Sequence, residues 1–480
     1  MTHAIDPQPG TPVAATAASP STAYARNPFA RMLTGYQRDR FYGRDGEVKL
    51  IFDSVTAPHH PKSLVFQGMR TIGKTTLLRY LCDRHGPLLA PTYGDAPTVQ
   101  IAPAYVDCYL YKGDEVFLPM LHAVYDSREA ASAVASGRHE DDIPPADAPK
   151  SDIKAALGRA LDVLSDGGAR MVFCLDHFDR AFLSLADEDD FFMRALTERH
   201  AFVIATERTT ADLQAARAGA ALHSSAFLNI LTPRNLGLLS DADAHRLVTE
   251  PLRGETIRFT ERDLDFLLDV GGRHPYLLTI CAEFLFERRR RVGGAHDEVL
   301  PESDADRAWI ALEIAARPSV KELFALQYRD LGEGPRRVLG RLAAGEPVDP
   351  LANWTAVETL LNGALIVQDP ATGRYRPYTS LLRSELAAGG RAQGGIDLDA
   401  VARDLTPLDR KLLAHLRQHA GEVCGFEDLL MAVWGDRGAS KRGLEAAVHR
   451  LRGRLAEAGE PETDSIQNVR GRGYRLVLPG

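Results

Sequence analysis

One short segment constrains the fold of this chain more than any other. Residues 68–76, with the sequence GMRTIGKTT, follow directly after the apolar run Ser63–Gln67 and match the pattern GxxxxGK followed by Ser or Thr. The glycines of this pattern let successive backbone N–H groups face phosphate oxygens, and the next helix adds its positive N-terminal end. The segment therefore predicts a phosphate-binding loop between a strand of a parallel sheet and a helix.

The same loop predicts which side chains contact a nucleotide. Lys74 should reach the β- and γ-phosphates, and the Thr75 hydroxyl should ligate Mg²⁺. ATP or ADP with Mg²⁺ is therefore the expected cofactor. The predicted nucleotide-binding residues of the loop are Gly68, Arg70, Thr71, Ile72, Gly73, Lys74, Thr75 and Thr76.

A second apolar run, Met171–Asp176, ends in a carboxylate at the strand edge where ligands of such sheets lie. Asp176 is therefore the second predicted magnesium ligand. The next residue is His177, where many P-loop hydrolases carry a glutamate that orients the attacking water, so slow turnover is expected. Asp179 could replace that glutamate, and Arg208, which follows the next apolar run, could contact the γ-phosphate. The predicted catalytic residues are Lys74, Asp176, Asp179 and Arg208.

Length and composition limit the class of protein. At about 150 residues per domain, 480 residues predict two to four domains. Hydrophobic residues at 45% and charged residues at 25% are typical of globular domains, and no run of about 18 apolar residues predicts a membrane span. Five cysteines without a CxxC pair argue against a disulfide framework or a zinc site and favour a cytoplasmic location. Because the net charge is -8, any nucleic-acid binding must depend on a local patch.

The hydrophobic pattern changes along the chain. Up to about residue 230, short apolar runs alternate with helical patterns, which is typical of a parallel sheet with helices on both faces. From Ser240 to Arg291 the apolar period is 3.6, which predicts a helical lid. Three further helices and a hairpin around residues 369–373 then predict a winged helix. The predicted strands of the sheet are Ser63–Gln67, Ala104–Asp107, Met171–Asp176, Ala201–Thr206 and Phe227–Leu231.

From Tyr42 to about Leu386 the chain resembles a STAND-type signal-transduction P-loop ATPase of the AAA+ lineage. Residues 41–44 (FYGR) resemble the family's GR motif near the adenine, and residues 271–277 (GGRHPYL) resemble its lid motif. The resemblance implies that nucleotide exchange or hydrolysis switches the chain between closed and open states and drives homo-oligomerisation. The Met-His-Asp element that senses ADP in the plant and animal branches is missing. By this resemblance, further nucleotide-binding residues are Gly43, Arg44, His274 and Pro275.

The C-terminal residues 405–478 resemble the OmpR/PhoB-type winged-helix effector domain of bacterial response regulators. The resemblance rests on residues 405–413 (LTPLDRKLL), 429–435 (LLMAVWG), 444–455 (LEAAVHRLRGRL) and 466–476 (IQNVRGRGYRL). No phospho-acceptor receiver precedes this domain, and the ATPase takes its place. Control by nucleotide is therefore expected instead of control by phosphorylation.

The residues of this domain also indicate DNA binding. Leu444, Val448, Leu451 and Leu455 recur at helical spacing and should face the core, which leaves a basic surface suited to a major groove. From Asp399 onward there are 13 Lys and Arg against 12 Asp and Glu, so the positive patch is local. By the resemblance, Arg450 reads a base, Arg470 contacts DNA from the wing, and Arg442 and Arg452 contact phosphates. The predicted DNA contacts are Arg442, His449, Arg450, Arg452, Asn468, Arg470 and Arg472.

These patterns predict six parts: a disordered tail at 1–26, a P-loop ATPase core at 27–235, a helical lid at 236–300, a winged helix at 301–388, a linker at 389–398 and an OmpR-like winged helix at 399–480. The predicted function is a nucleotide-switched, signal-responsive transcription regulator with DNA as its partner. One alternative is the switch of a bacterial conflict or defence system, whose terminal winged helix binds a separately encoded protein effector. Another is an ATPase loader of the origin-recognition or transposition type, which the OmpR-like wing disfavours.

Overall fold

The structure is a computed structural model of the chain. It describes residues 27–90, 99–127, 143–218, 225–292, 300–329, 331–370, 372–393, 405–419, 423–435, 441–457, 466–469 and 473–476. The predicted disordered tail at 1–26, and Arg470 and Arg472 of the predicted wing, lie outside the described residues.

A five-stranded parallel sheet forms the centre of the N-terminal part, and its strands lie side by side in the order β2 (Gln100–Asp107), β3 (Ala169–Asp176), β4 (Ala201–Thr206), β1 (Leu64–Gln67) and β5 (Thr232–Asn235). Residues that alternate along β3 pack on opposite faces: Phe173 joins one hydrophobic cluster and Cys174 joins the other. Helices therefore cover both faces, and the predicted α/β class is confirmed.

Helices of this part flank the sheet on both sides. Helices α2 and α3 contribute to the cluster that contains Cys174, whereas α4 and α5 contribute to the cluster that contains Phe173. The helices are α1 (Pro28–Met32), α2 (Asp45–Val55), α3 (Lys74–Leu81), α4 (Phe117–Asp126), α5 (Lys150–Asp166), α6 (Asp179–Leu183), α7 (Asp187–Leu196) and α8 (Thr210–Ala218).

The predicted fifth strand, Phe227–Leu231, is wrong. Residues Leu228–Ile230 form a short 3-10 helix, and the strand is the next segment, β5. The buried carboxylate of Asp190 accepts the N–H groups of Ala226 and Phe227, at 2.7 and 3.2 Å, and so turns the apolar run away from the sheet. Its side chains still pack in the core, which explains the apolar signal.

The lid and the first winged helix share one hydrophobic cluster, to which Leu278 of the lid and Leu339 of the winged helix both belong. Thr379 and Ser380 also donate hydrogen bonds to the carbonyl oxygen of Asp269, both at 3.2 Å. The elements are α9 (Asp241–Thr249), α10 (Glu261–Gly271), α11 (Pro275–Val292), α12 (Asp304–Ala315), α13 (Pro318–Arg329), α14 (Glu333–Ala343), α15 (Trp354–Asn362), β6 (Ile366–Gln368), β7 (Tyr375–Pro377) and α16 (Ser380–Gln393).

Helix α16 overlaps the first residues of the predicted linker at 389–398. The helix continues through Gln393, because alanine and arginine in this stretch are good helix formers and offset its two glycines. Residues 394–398 lie outside the described residues.

The C-terminal part has its own hydrophobic cluster, which includes Leu412, Leu429, Leu451 and Tyr474. The last two strands, β9 (Ile466–Val469) and β10 (Gly473–Leu476), form a hairpin after three helices, and β10 also pairs with the short strand β8 (Cys424–Gly425), as in a winged helix. The helices are α17 (Pro407–Gln418), α18 (Phe426–Trp434) and α19 (Lys441–Glu457). None of the helices in the described ranges combines the length and apolar character needed to cross a membrane.

Candidate functional site

The predicted phosphate loop connects β1 to α3 and has the backbone of an anion-binding loop. Thr71 and Gly73 both have positive φ angles, 60° and 104°, between residues of ordinary conformation. At Gly68 a Cβ atom would lie 2.8 Å from the carbonyl oxygen of Leu236, so only glycine fits there. Such alternation of conformations makes a concave arrangement of N–H groups that suits an anion.

Lys74 begins α3 and is almost fully buried. Its ammonium group donates hydrogen bonds to the carbonyl oxygens of Gly68, at 2.6 Å, and Met69, at 3.0 Å. Burial lowers the pKa of Lys74, and the carboxylates of Glu207, Asp179 and Asp176 counteract this effect. A phosphate group would offer the buried cation stronger acceptors than two carbonyl groups.

An open cavity of about 740 Å³ lies over the loop, a size that suits a nucleotide. Residues of the core, the lid and the first winged helix all line it. Of the predicted site residues it brings together Arg44, Arg70, Thr71, Ile72, Gly73, Lys74, Thr75, Thr76, Asp176, Asp179 and Pro275. Four of the predicted nucleotide-binding and catalytic residues, although described by the structure, do not line it: Gly43, Gly68, Arg208 and His274.

Asp176 ends β3 and is buried. Its carboxylate accepts hydrogen bonds from the Tyr105 hydroxyl, at 2.9 Å, and from the His177 N–H, at 3.0 Å. Among the described residues, no group of three or more His, Cys, Asp or Glu side chains could hold a metal alone. Mg²⁺ does not need such a group, because it commonly takes one or two protein oxygens and completes its shell with phosphate and water. Asp176 and Thr75, which line the same cavity, therefore fit Mg²⁺ bound with a nucleotide.

His177 is held between acidic groups. Its φ angle is 52°, and its Nδ1 atom lies 3.2 Å from Asp107 Oδ1 and 3.6 Å from Asp176 Oδ2. The ring also meets the Tyr109 ring edge-on, with centroids 5.6 Å apart. The imidazole therefore contacts the last residues of two neighbouring strands, Asp107 of β2 and Asp176 of β3.

Asp179 has a structural role in this conformation. Its carboxylate accepts the main-chain N–H groups of Glu207, at 3.0 and 3.1 Å, and Arg208, at 2.9 Å, and so fixes the turn after β4. Arg208 donates its main-chain N–H in this turn and does not line the cavity, so its contact with a γ-phosphate stays a prediction. The residue that lines the cavity is instead Glu207, whose carboxylate pairs with Arg70 at 2.8 Å. The only sequence signal for Glu207 was its position directly after a buried strand.

Arg44 lines the cavity and also holds the phosphate loop through hydrogen bonds. Its guanidinium donates to the carbonyl oxygens of Ile72, at 3.1 Å, and Gly237, at 2.7 Å, and pairs with Glu47. Burial lowers the pKa of Arg44, and Glu47 counteracts this effect. Gly43 has a φ angle of 76°, and a Cβ atom there would lie 2.6 Å from Asp243 Cγ. Gly43 therefore permits a tight turn, and Arg44 ties the loop to the start of the lid.

His274 is fully buried and does not line the cavity, so its contact with a nucleotide stays a prediction. It precedes α11, and its Nδ1 atom accepts the N–H of Leu277 at 3.2 Å, as an N-cap side chain does. Burial lowers its pKa to about 3. The adjacent Pro275 and Tyr276 are the residues of this motif that line the cavity.

The low pKa of His274 predicts a loss of stability in acid. Between its unfolded pKa of 6.5 and its folded value of about 3, the unfolded chain binds a proton that the folded chain does not. Lowering the pH from about 7.5 to about 5 should therefore cost about 2 kcal/mol of unfolding free energy at this site. The measurement is urea unfolding of wild type and His274→Asn at both pH values, since asparagine keeps an N-cap acceptor but does not titrate.

The His274→Asn variant should show a smaller loss of stability on acidification than wild type. The exposed His245 supplies a matched control, because His245→Asn should leave the pH dependence as it is in wild type. Equal pH dependence of wild type and His274→Asn would contradict the buried neutral histidine.

Helix α19 carries the predicted DNA-binding surface. Leu444, Val448 and Leu451 are buried, as predicted, whereas Arg442 and His449 are exposed, and the side chain of Leu455 lies outside the described part of the chain. Asn468 is exposed on β9, beside the hairpin turn whose arginines lie outside the described residues.

Two arginines of this helix are engaged within the domain. Arg450 donates from Nε and Nη2 to the two carboxylate oxygens of the buried Asp409, at 3.1 and 2.8 Å. Arg452 donates from Nε to the carbonyl oxygen of Ile466 at 2.9 Å. The predicted base reader is thus half exposed but holds α19 against α17 in this conformation.

Residues 401–476 match the family model described as transcriptional regulatory protein, C terminal. The predicted OmpR/PhoB-type winged helix is thereby confirmed. The match covers this transcriptional-regulator domain alone, and no curated protein matches the chain.

Solved structures are similar to the remainder of the chain. The Walker-type ATPase of Pyrococcus abyssi is 13% identical, with a TM-score of 0.47 over 73% of this chain and 97% of that chain. The ORC2 protein of Aeropyrum pernix, in ADPNP and ADP complexes, is 14% identical, with a TM-score of 0.42 over 72% and 93%. The RuvB Holliday junction branch migration motor of Thermotoga maritima is 13% identical, with a TM-score of 0.34 over 72% and 95%.

Proposed function

We propose that this protein is a nucleotide-switched transcription regulator. The N-terminal part binds ATP or ADP with Mg²⁺ and hydrolyses ATP slowly, and the bound nucleotide controls DNA binding by the C-terminal domain in response to a signal. One observation carries the proposal. A single chain holds a cavity that joins a phosphate loop to Asp176, and a segment that matches transcriptional regulators.

The residues of the cavity divide the work of holding the nucleotide. The loop N–H groups and the Lys74 ammonium bind the phosphates, while Thr75 and Asp176 hold Mg²⁺. When bound, Mg²⁺ neutralises phosphate charge and polarises the phosphoryl group that is transferred. The Tyr105 hydroxyl and the His177 N–H keep the Asp176 carboxylate in place. Slow hydrolysis is expected because the two groups near Asp176 that could orient a water molecule already have partners. The His177 imidazole contacts Asp107, and the Asp179 carboxylate accepts the main-chain N–H groups of Glu207 and Arg208.

Three parts of the chain line the cavity, so the nucleotide bound there can affect how these parts are arranged. Lys74 belongs to the core, Tyr276 to the lid and Leu326 to the first winged helix. A ligand shifts an equilibrium between conformations by its different affinity for each of them. Binding of ATP or ADP is therefore expected to favour different arrangements of these parts. Assembly into an oligomer would then link several DNA-binding domains and raise their effective concentration.

The test of this function is selection from random duplex DNA by the full-length chain, with ATP, with ADP and without nucleotide. We expect one sequence to be enriched and its affinity to differ between the nucleotide states, as measured by fluorescence anisotropy at fixed salt. Failure to enrich any sequence in every nucleotide state, even at low salt, would refute DNA recognition and leave the ATPase proposal intact.

Substitutions on α19 should separate DNA contact from domain stability. Arg442→Ala is expected to weaken the affinity for the selected DNA sequence by about tenfold or more. The thermal unfolding temperature should not change, because the side chain is exposed. Arg450→Ala is expected to lower domain stability by about 1 kcal/mol, since the buried Asp409 carboxylate loses its guanidinium partner and keeps the Thr406 hydroxyl as a donor. Anisotropy and thermal unfolding of both variants measure the two effects. Unchanged unfolding of Arg450→Ala, together with loss of base preference, would restore Arg450 as a base reader.

The engagement of Arg450 and Arg452 within the domain favours a second candidate function. Fewer basic side chains of α19 then face DNA, and Met431 on α18 is an exposed apolar side chain suited to protein contact. In this candidate, the chain is the ATPase switch of a conflict or defence system and its terminal domain binds a separately encoded effector. This candidate predicts that a protein partner binds stably and that Met431→Glu abolishes its binding. It also predicts that no DNA sequence is selected.

A further inference from the structure

An ion pair in the wall of the cavity joins the phosphate loop to the residue that follows β4. Nε and Nη2 of Arg70 donate to Oε2 of Glu207, at 2.9 and 2.8 Å. Both side chains line the cavity, and each is about one-third to two-fifths exposed, at 41% for Arg70 and 34% for Glu207. The pair is therefore part of the wall that a bound nucleotide meets.

The backbone fixes the position of Glu207. Its main-chain N–H donates to the Asp179 carboxylate, and the preceding Thr206 pairs with Gln67 in the parallel ladder between β4 and β1. Glu207 therefore lies beside the end of β1, the strand that leads into the phosphate loop. Its negative charge is also among those that act on the buried Lys74 ammonium.

The other carboxylates of the described cavity lining have different partners. Asp179 accepts main-chain N–H groups, and Asp176 accepts the Tyr105 hydroxyl and the His177 N–H. Glu207 is paired with a cation of the loop itself, and a guanidinium binds phosphate in the same forked geometry as carboxylate. A terminal phosphate near Lys74 would therefore compete with Glu207 for Arg70.

We infer that Glu207, acting with Arg70, sets how strongly the site distinguishes a nucleoside triphosphate from the diphosphate. The inference rests on the proposed nucleotide binding. A diphosphate leaves the ion pair intact, whereas a γ-phosphate brings negative charge beside Glu207 and has to draw Arg70 away from it. The carboxylate therefore weakens triphosphate binding selectively, and the freed Arg70 restores part of that affinity.

The test is calorimetric titration of the full-length chain with Mg²⁺–ATP and Mg²⁺–ADP. In Glu207→Gln, the ratio of the ATP Kd to the ADP Kd should fall about tenfold, because ATP loses a nearby repulsive charge. The Kd for ADP should stay within about twofold of wild type. Arg70→Gln should raise the same ratio, since ATP loses a cation while the repulsive carboxylate remains.

Glu198→Gln is the matched control, because Glu198 is exposed and does not line the cavity, and it should leave the ratio unchanged. Normal binding of both nucleotides with an unchanged ratio in Glu207→Gln would overturn this inference and leave the proposed function standing. An equal loss of ATP and ADP affinity would also overturn it. If Glu207→Gln fails to fold, the ratio of the ATP Kd to the ADP Kd in Arg70→Gln is the test. A raised ratio supports the inference, and an unchanged ratio overturns it. If the wild type binds neither nucleotide, the proposed function itself fails, and the inference falls with it.

Discussion

Replacement of Lys74 by alanine is expected to weaken Mg²⁺–ATP binding by about 100-fold or more. Lys74 is the buried cation at the start of α3, and no other lysine among the described residues lines the cavity. Without it, the phosphates lose a charge-assisted hydrogen bond in a partly desolvated site. Isothermal titration calorimetry with ATP and ADP measures the loss directly.

The same substitution at Lys49 provides the control. Lys49 is exposed on α2 and pairs with Asp53, so Lys49→Ala should bind ATP as the wild type does. Thermal unfolding of Lys74→Ala should show that the chain remains folded after the carbonyl groups of Gly68 and Met69 lose their partner. Equal ATP affinity of folded Lys74→Ala and wild type would remove the phosphate-loop assignment.

The second large effect is expected at Asp176. Asp176→Asn keeps the shape of the side chain but removes the negative charge that Mg²⁺ needs, and it places an amide where the His177 N–H and the Tyr105 hydroxyl now donate. Hydrolysis should fall by about 100-fold or more, and Mg²⁺ should no longer strengthen ATP binding. Single-turnover phosphate release and ATP titrations with and without Mg²⁺ measure these two effects.

Asp166→Asn is a suitable comparison, because Asp166 is an exposed residue that pairs with Arg199 and does not line the cavity. It should leave both the rate and the Mg²⁺ dependence unchanged. An Asp176→Asn protein with a normal Mg²⁺ dependence would show that the metal is held elsewhere.

The central strands could be predicted from the sequence because they are buried on both faces. Continuous apolar runs therefore mark them, and Ala201–Thr206 agrees with the structure at both ends. The edge strand β5 could not be found this way, since its residues Thr-Pro-Arg-Asn are mostly exposed and it forms by pairing with β1. The apolar run before it is turned aside by Asp190, which is 36 residues away from Ala226.

The phosphate loop could be predicted in the same direct way, because its chemistry depends on adjacent residues. Contacts between distant residues were not visible. The sequence shows basic side chains at Arg44, Arg70 and Arg450, but not that Gly237, Glu207 and Asp409 bind them. A pattern of basic residues predicts a positively charged surface, but the fold determines which of these residues are paired within the protein.

The exposed strand β5 also protects the sheet from aggregation at this edge. The N–H groups of Thr232 and Leu236 point to β1, where they donate to Ser63 and Gln67, so the intervening Pro233 lies where an N–H would face outward. Proline has no N–H to offer an incoming strand, and the adjacent Arg234 adds a charge. The Asn235 side chain also donates to Asn362 of the first winged helix at 2.8 Å. Another chain is thus denied a template for extending the sheet across β5.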